Sequence, residues 1–305
     1  MAGMKQTPLL QRARWKQGAG MNHQTSNQLI FDLGFHRGED TDHYLALGHG
    51  VVAVEANPEL VAAGRQRFAA EISSGQLQLV HAAVVGQHRN LSTVAFHPHP
   101  SRSEWGSVDL RWVRRNAEAQ KLPHGAPIEV AATTLPRLVD AHGCPWLLKI
   151  DIEGADEEVL ADLKLLPQKP AFASWETGKE SLKSVINQHR RLYALGYKEF
   201  RIVQQAYIER REIISLPHGG TYQFSPGSSG PTPASSTQPW RSLRWVLWQY
   251  RLLFLIYGAI GPRSRFARAS RSKIGWLAWL PQQLRRQAER WAIPFPGWVD
   301  SHAMR

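Results

Sequence analysis

Residues 28–57 constrain the fold of this chain more strongly than any other segment. They read as an apolar run of strand length, a turn with two glycines, a helical stretch and a second apolar run that ends in an acid. This succession forms the ligand-binding unit of open α/β sheets, in which ligands lie beyond the carboxyl ends of parallel strands. The segment therefore predicts an α/β fold with a mostly parallel sheet and a cofactor at its carboxyl edge.

The same alternation continues to about residue 215. Short apolar runs predict buried strands, and the longer stretches between them have the period of helices. The predicted strands are 28–33, 51–55, 77–85, 128–132, 146–152, 171–176, 199–204 and 212–216. Between the third and fourth of these, polar and basic stretches interrupt the rhythm, which indicates an insertion above the sheet.

Charge and tryptophan are unevenly distributed along the 305 residues. The net charge is +12, but residues 26–215 hold 21 Lys/Arg against 23 Asp/Glu, whereas residues 216–305 hold 12 against two. Seven of the 12 tryptophans also lie in that last part, and such a change in composition marks a domain boundary. We predict a disordered or mis-assigned arm, a cofactor-binding domain, a Gly/Ser/Pro linker or lid and a basic, Trp-rich helical extension at 1–25, 26–216, 217–239 and 240–305.

Composition also bears on location. A single cysteine, Cys144, excludes an internal disulfide framework, and the N-terminal residues lack an apolar stretch of signal-peptide length. We therefore expect a cytoplasmic protein. The apolar run 252–260 is far shorter than the ~20 residues of a membrane-spanning helix. Residues 240–290 are expected either to dock on the cofactor domain or to contact an anionic membrane surface peripherally, at the inner face.

The turn after the first predicted strand is the first site motif. Asp32 stands at the carboxyl edge, and Gly34 and Gly38 allow the backbone to turn sharply and approach a ligand. A dinucleotide-binding turn carries glycine at the first of these positions. Asp32 would repel a pyrophosphate but suits the cationic amino group of an amino-acid moiety, which favours S-adenosylmethionine over NAD.

Glu55 is the second signal, because it ends the second strand of the same unit. It follows Asp32 by 23 positions, close to the ~20-residue spacing at which such folds place an acid on ribose hydroxyls. Alone, Glu55 would be interpreted as a solvated strand end. In one unit with Asp32, it favours a nucleoside cofactor.

The third motif is KIDIEGADE, which begins at Lys149. Strand alternation places Lys149, Asp151 and Glu153 on one side of the chain at the carboxyl edge of the sheet. Asp151 and Glu153 are candidates for catalysis or metal binding. An ion pair between a strand-end acid and Lys149, with a structural role only, explains the pattern equally well.

Together these motifs resemble the FkbM methyltransferase family. The matching stretches are FDLGFHRGEDT, VVAVEANPEL, LLKIDIEGADEEVL and, more weakly, SWE, at 31–41, 51–60, 147–160 and 174–176. The resemblance implies a seven-stranded, Rossmann-like class I methyltransferase fold, S-adenosyl-L-methionine as donor and O-methylation of a hydroxyl, often on a sugar. The residues that we place at the cofactor are Asp32, Gly34, His36, Gly38 and Glu55, with Asp151 near the transferred methyl group.

A hydroxyl is a poor nucleophile until its proton is removed, so we expect a general base. The carboxylate candidates are Asp151, Glu153 and Glu176. A divalent cation on Asp151 and Glu153 is the less favoured alternative, so no metal is expected. For the acceptor, the insertion offers Trp105 as a stacking surface and Ser107 and Arg111 as polar partners. The alternative is that these side chains serve ordinary packing.

We thus predict an O-methyltransferase that acts on a hydroxyl-bearing small molecule, sugar or glycan. A nucleic-acid methyltransferase is the alternative, since basic residues interleaved with aromatics also suit single strands. The neutral cofactor domain disfavours it. A third hypothesis is a membrane-associated protein that keeps the fold but has no catalytic activity. The complete set of acids at the site disfavours this hypothesis.

Overall fold

The computed structural model describes residues 27–99, 101–120, 125–178, 181–206, 208–260 and 299–305. The predicted N-terminal arm and residues 261–298 of the predicted extension lie outside the described residues. The strands are β1 (Leu29–Leu33), β2 (Gly50–Glu55), β3 (Leu77–His81), β4 (Ala83–Val84), β5 (Thr93–Phe96), β6 (Ile128–Thr133), β7 (Leu147–Ile150), β8 (Phe172–Glu176), β9 (Glu199–Gln204), β10 (Ile213–Ser215), β11 (Thr221–Gln223), β12 (Arg241–Ser242) and β13 (Val299–Met304). The α-helices are α1 (Glu39–Ala46), α2 (Pro58–Arg67), α3 (Ala69–Ser73), α4 (Leu110–Gln120), α5 (Leu135–His142), α6 (Asp156–Asp162), α7 (Leu182–Ala194), α8 (Ile208–Arg211) and α9 (Leu243–Ile260).

The central sheet has eight strands in the order β12-β9-β13-β8-β7-β1-β2-β3. Neighbours from β8 to β3 are parallel, whereas β13 runs antiparallel to both β8 and β9. The predicted α/β fold with a mostly parallel sheet is confirmed. The eighth strand is β12, a two-residue strand that pairs with β9 at the edge.

Apolar side chains cover both faces of the parallel strands. One core joins Phe31 and Leu148 to helices α5, α6 and α7, and the other packs Ile30 and Val51 against Phe35 and Phe68. Strands that are buried on both faces read as continuous apolar runs, which is why these were visible in the sequence.

The insertion departs from the predicted alternation. Residues 77–85 form two strands, because β4 leaves the central sheet and pairs with β6. β6 in turn pairs antiparallel with β5, so the strand predicted at 128–132 belongs to a separate three-stranded sheet. This small sheet carries the insertion to the carboxyl edge of the central sheet.

The prediction of a closing strand at 212–216 is wrong. Ile213–Ser215 forms a separate hairpin with Thr221–Gln223. The closing strand is Val299–Met304, which lies between β8 and β9 in the interior of the sheet. The boundary predicted near residue 216 therefore does not separate the sheet from the rest of the chain.

A buried polar network holds this last strand in place. The Ser301 hydroxyl lies 2.8 Å from the Thr177 hydroxyl, 3.1 Å from Nε2 of His189 and within hydrogen-bonding distance of the Tyr250 hydroxyl. These residues come from β13, α7, α9 and the end of β8. Since each polar group has a partner, the strand tolerates a serine in its core.

Helix α9 packs one face on the domain, in agreement with the docking alternative. Val246 and Tyr250 are buried and belong to the main core, against α7 and β9. No helix among the described residues is long and apolar enough to span a bilayer.

Candidate cofactor and acceptor site

A cavity of about 900 Å³ opens at the carboxyl ends of β1, β2 and β7. Its wall combines the glycine turn, the end of β2, the insertion and the segment after β7. The residues that line it include Gly34, His36, Glu39, Asp40, Glu55, Ala83, Val84, Phe96, Arg102, Glu104, Trp105, Ser107, Lys149, Asp151, Glu153, Glu176, Pro226 and Gly227.

The two glycines of the turn adopt left-handed backbone conformations, with φ of 95° at Gly34 and 82° at Gly38. A Cβ at Gly34 would clash with the carbonyl oxygen of Asp151, and one at Gly38 would meet the rings of Phe35 and Phe68. We expected these glycines to admit a ligand. The structure shows that protein contacts already require both, because the turn packs directly against the segment after β7.

Asp32 lies beneath the cavity rather than on its wall. Its side chain is buried, Oδ2 accepts a 2.6 Å hydrogen bond from the Thr41 hydroxyl, and Oδ1 lies 3.4 Å from Nζ of Lys149. Burial raises the pKa of Asp32 to about 6. The structure therefore does not place this carboxylate where it would contact the methionine amino group.

Lys149 connects this buried acid to the cavity. Its ammonium lies 2.8 Å from Oδ2 of Asp40 and 3.5 Å from Oδ2 of Asp151, in addition to its contact with Asp32. Burial alone would lower the pKa of Lys149, but the nearby Asp40, Asp32 and Asp151 raise it well above its usual value. The ammonium is thus charged, and it fixes three carboxylates from β1, α1 and the end of β7.

Glu55 lies on the cavity wall at the end of β2. Its two oxygens accept 2.8 Å hydrogen bonds from the backbone N–H groups of His36 and Asn57. Burial raises its pKa. Since a carboxylate oxygen has two lone pairs, each oxygen can still accept a hydrogen bond from a ligand in the cavity.

His36 joins the glycine turn to the insertion. Its backbone is left-handed, its Nδ1 lies 3.1 Å from Oε1 of Glu39, and its Nε2 lies 2.8 Å from the Ser103 hydroxyl. Both ring nitrogens thus have a hydrogen-bond partner. The structure places His36 on the cavity wall, where it also positions the insertion.

Asp151, Glu153 and Glu176 converge on the far side of the cavity. One carboxylate oxygen from each lies within 4.8 Å of the others. Glu153 has a left-handed backbone, and its carbonyl accepts a hydrogen bond from the Ser107 hydroxyl. Burial, followed by the charges of Glu176 and Asp151, raises the pKa of Glu153 well above its usual value.

The family model for the methyltransferase FkbM domain matches residues 32–198, which is more than half of the chain. The chain belongs to the FkbM methyltransferase family. It is thus a methyltransferase that uses S-adenosylmethionine, as the motifs predicted. No curated protein matches this FkbM chain.

Several solved structures show distant similarity to this FkbM protein. The C-terminal domain of precorrin-6Y C5,15-methyltransferase from Rhodobacter capsulatus is 9% identical, with 66% of this chain and 76% of that chain covered and a TM-score of 0.35. An O-methyltransferase from Bacillus cereus in complex with SAH is 12% identical, with 65% and 71% covered and a TM-score of 0.30. A SAM-dependent methyltransferase from Thiobacillus denitrificans, in complex with S-adenosyl-L-homocysteine, is 13% identical, with 92% and 85% covered and a TM-score of 0.32.

The predicted acceptor residues of the FkbM domain occupy different places. Trp105 lies on the cavity wall, with the Arg102 guanidinium 4.4 Å from its ring centre. Ser107 also lines the cavity, but its hydroxyl holds the Glu153 carbonyl and the backbone N–H of Asp109. Arg111 is 91% exposed and lies 3.5 Å from Asp109, outside the cavity wall. The prediction for Arg111 is therefore not supported by its position.

The segment predicted as a linker or lid forms part of the site in this FkbM protein. Pro226 and Gly227 line the cavity. Next to them, Ser229 is buried, and its backbone N–H donates a 2.8 Å hydrogen bond to Oδ1 of Asp40. Residues 226–229 are thus packed against the start of α1 as a fixed wall.

Several residues of this FkbM site were not predicted from the sequence. Glu39 and Asp40 line the cavity from the first turn of α1, where acids are usually interpreted as partners of the helix dipole. Phe96 and the Ala83–Val84 strand form an apolar part of the wall, for which the sequence holds no signal. The position of Asp40 relative to Lys149 depends on how α1 packs, which local patterns do not specify.

Proposed function

We propose that this FkbM protein is an O-methyltransferase that transfers the methyl group of S-adenosylmethionine to a hydroxyl of a sugar, glycan or related metabolite. The observation that carries the proposal is the convergence of Asp151, Glu153 and Glu176 in the cavity that also contains Glu55. One wall thus offers an acceptor for ribose hydroxyls, and the opposite wall offers carboxylates for the hydroxyl that receives the methyl group.

The residues around this cavity suit the cofactor in one orientation. Glu55 would accept hydrogen bonds from the ribose hydroxyls, as an acid at this strand end does in related folds. Ala83, Val84 and Phe96 form the apolar wall that suits adenine. The methionine end would then lie at the glycine turn, where the partly buried Glu39 lines the cavity and is the acid for its ammonium group. Asp32 acts through Lys149 as a positioning residue.

The chemistry requires one proton transfer and one displacement. The acceptor hydroxyl gives its proton to a carboxylate, its oxygen forms a bond to the methyl carbon, and the carbon–sulfur bond breaks to leave a neutral thioether. Glu153 is the best placed base, because its raised pKa brings its basicity closer to neutral pH. Asp151 and Glu176 hold the hydroxyl in line with the sulfonium, which supplies much of the rate.

The acceptor side of the cavity suits a sugar. The Trp105 indole lies in the wall with the Arg102 guanidinium over its ring, and Glu104 lies next to them. A sugar ring presents C–H groups to an aromatic face and hydroxyls to charged groups at its edge. Trp105 is therefore our candidate for acceptor binding, with Ser107 as a residue that positions Glu153.

Transfer of a radiolabelled methyl group tests the acceptor. The full chain is incubated with labelled S-adenosylmethionine and with separate glycan, lipid and RNA fractions of a cell extract. We expect label in a sugar-containing fraction, in a form stable to mild alkali, because methyl ethers resist the hydrolysis that removes methyl esters. Label found in RNA alone would contradict the proposal and favour a nucleic-acid acceptor.

We further propose that α9 contacts an anionic membrane surface peripherally. Trp245, Trp248, Leu252 and Leu255 are 47%, 52%, 42% and 71% exposed and lie on one helix face, opposite the buried Val246 and Tyr250. Arg244 and Arg251 are exposed beside them. Exposed tryptophan and leucine flanked by arginine suit the boundary between lipid headgroups and acyl chains.

Replacing Trp245 and Trp248 with serine should weaken vesicle binding. We expect the full chain to bind vesicles that contain phosphatidylglycerol and the double variant to bind about tenfold more weakly, since apolar area enters the interface. The measurement is co-sedimentation with vesicles. Tyr193→Ser is the matched control, because Tyr193 is an exposed aromatic on α7. Equal binding by the double variant and the wild type would contradict the membrane proposal.

A further inference from the structure

Carboxylates are concentrated at the carboxyl edge of the sheet beyond what the proposed methyl transfer requires. Six of them lie around the ends of the central strands and the start of α1: Asp32, Asp40, Asp151, Glu153, Glu176 and Asp300. Lys149 forms ion pairs with three of the six. A single ammonium leaves this group with a large excess of negative charge when all its members are ionised.

The spacing of three of these acids fits a hard divalent cation. Mg²⁺ binds oxygen ligands at about 2.1 Å and Ca²⁺ at about 2.3–2.6 Å, so oxygens on one ion lie about 3–5 Å apart. Asp151, Glu153 and Glu176 each offer an oxygen within 4.8 Å of the other two. All three are partly exposed to the cavity, so an ion can enter and an acceptor can reach it.

Asp300 supplies an independent observation. Its side chain is only 2% exposed, and its Oδ1 atom has no hydrogen-bond partner. Asp300 lies directly opposite Glu176 in the antiparallel ladder, so the two side chains emerge on the same face of the sheet. Burial, followed by the charge of Asp151, raises the pKa of Asp300 well above its usual value. The charge of Lys149 and a hydrogen bond with the Gln205 side chain both favour the ionised form of this carboxylate, but its buried Oδ1 oxygen still has no donor.

We infer that Asp151, Glu153 and Glu176 bind one divalent cation of the Mg²⁺ or Mn²⁺ type, with Asp300 behind them as an acceptor for a water on the ion. The sequence favoured a base without metal, with a cation on Asp151 and Glu153 as the alternative. Binding of the cation does not depend on the proposed function. Its role does: in an O-methyltransferase the ion would polarise the acceptor hydroxyl and lower its pKa, and Glu153 would then hold the ion instead of acting as the free base.

Titration of the full chain with Mn²⁺ alone, followed by electron paramagnetic resonance, tests the site. We expect one Mn²⁺ per chain, displaced by Mg²⁺. Glu153→Gln and Glu176→Gln should each weaken Mn²⁺ binding by about tenfold or more, since the number of charged ligands sets the affinity of such sites. Glu157→Gln is the matched control, because Glu157 is an exposed acid on the adjacent helix α6. It should leave the affinity unchanged.

The inference is wrong if no Mn²⁺ binds at millimolar concentrations or if the Glu153 and Glu157 variants have equal affinity. If the site variants do not fold, the melting temperature of the wild type is measured instead. Mn²⁺ should raise it, and an unchanged melting temperature would show that no ion binds. If chelated protein transfers methyl at the full rate, the ion has no role in the reaction and the proposed function stands. If the protein binds Mn²⁺ but methylates no hydroxyl, the cation site stands and the proposed function is wrong.

Discussion

Lys149→Met should cost the protein about 3–5 kcal/mol of folding free energy, which is the usual effect of removing one partner from a buried ion pair. Asp32 and Asp40 would remain buried without the ammonium that lies 3.4 and 2.8 Å from them. Since whole domains are stable by only about 5–15 kcal/mol, this variant would be largely unfolded or would melt far below the wild type. Urea unfolding followed by circular dichroism measures the difference.

Two further variants identify the cause of that loss. Asp32→Asn in the Lys149→Met background should recover part of the stability, because a neutral amide needs no buried counter-ion. Lys198→Met is the control, since Lys198 is exposed and should change the free energy of unfolding by less than about 1 kcal/mol. Lys149→Met within 1 kcal/mol of the wild type would contradict the buried charge network.

Glu55→Gln should weaken binding of S-adenosylhomocysteine by about tenfold to a hundredfold, because hydrogen bonds to a charged group contribute about 1.5–3 kcal/mol. The glutamine keeps the size of the side chain but replaces one acceptor oxygen with a donor. That donor would face either a ribose hydroxyl or one of the backbone N–H groups of His36 and Asn57. The dissociation constant by calorimetry is the measurement.

Glu59→Gln is the matched control for this variant. Glu59 lies four residues later, in the first turn of α2, and is exposed. The Glu59→Gln variant should bind S-adenosylhomocysteine as tightly as the wild type does. If both variants bind equally well, Glu55 does not hold the ribose and the assigned cofactor orientation is wrong.

Local patterns in the sequence predicted the elements that carry the cofactor site. β1, the turn, α1 and β2 follow one another without a gap, so burial, spacing and glycine positions identify them. The carboxylates of Asp151, Glu153 and Glu176 were also expected together, because carboxyl ends of parallel strands meet at one edge of a sheet. The structure brings these three side chains to one cavity, and their roles stay predictions.

Contacts between distant segments were not predictable in this way. Val299–Met304 contains Asp300, Ser301 and His302 and does not resemble a buried strand. Ser301 is accommodated by His189 and Tyr250, and His302 by Arg201, all of them far away in sequence. The burial of Asp32 beneath the cavity was not predictable for a related reason. Its charge is neutralised by Lys149, its register partner on β7, and a single sequence does not reveal that β1 and β7 are neighbours.

Calorimetric titration of the full chain with S-adenosylhomocysteine tests whether the cavity between the glycine turn, Glu55 and the insertion holds the cofactor. We expect one molecule bound per chain, with an affinity that falls in Glu55→Gln and is unchanged in Glu59→Gln. No binding by the folded wild-type chain, or binding that is indifferent to Glu55, would contradict this expectation.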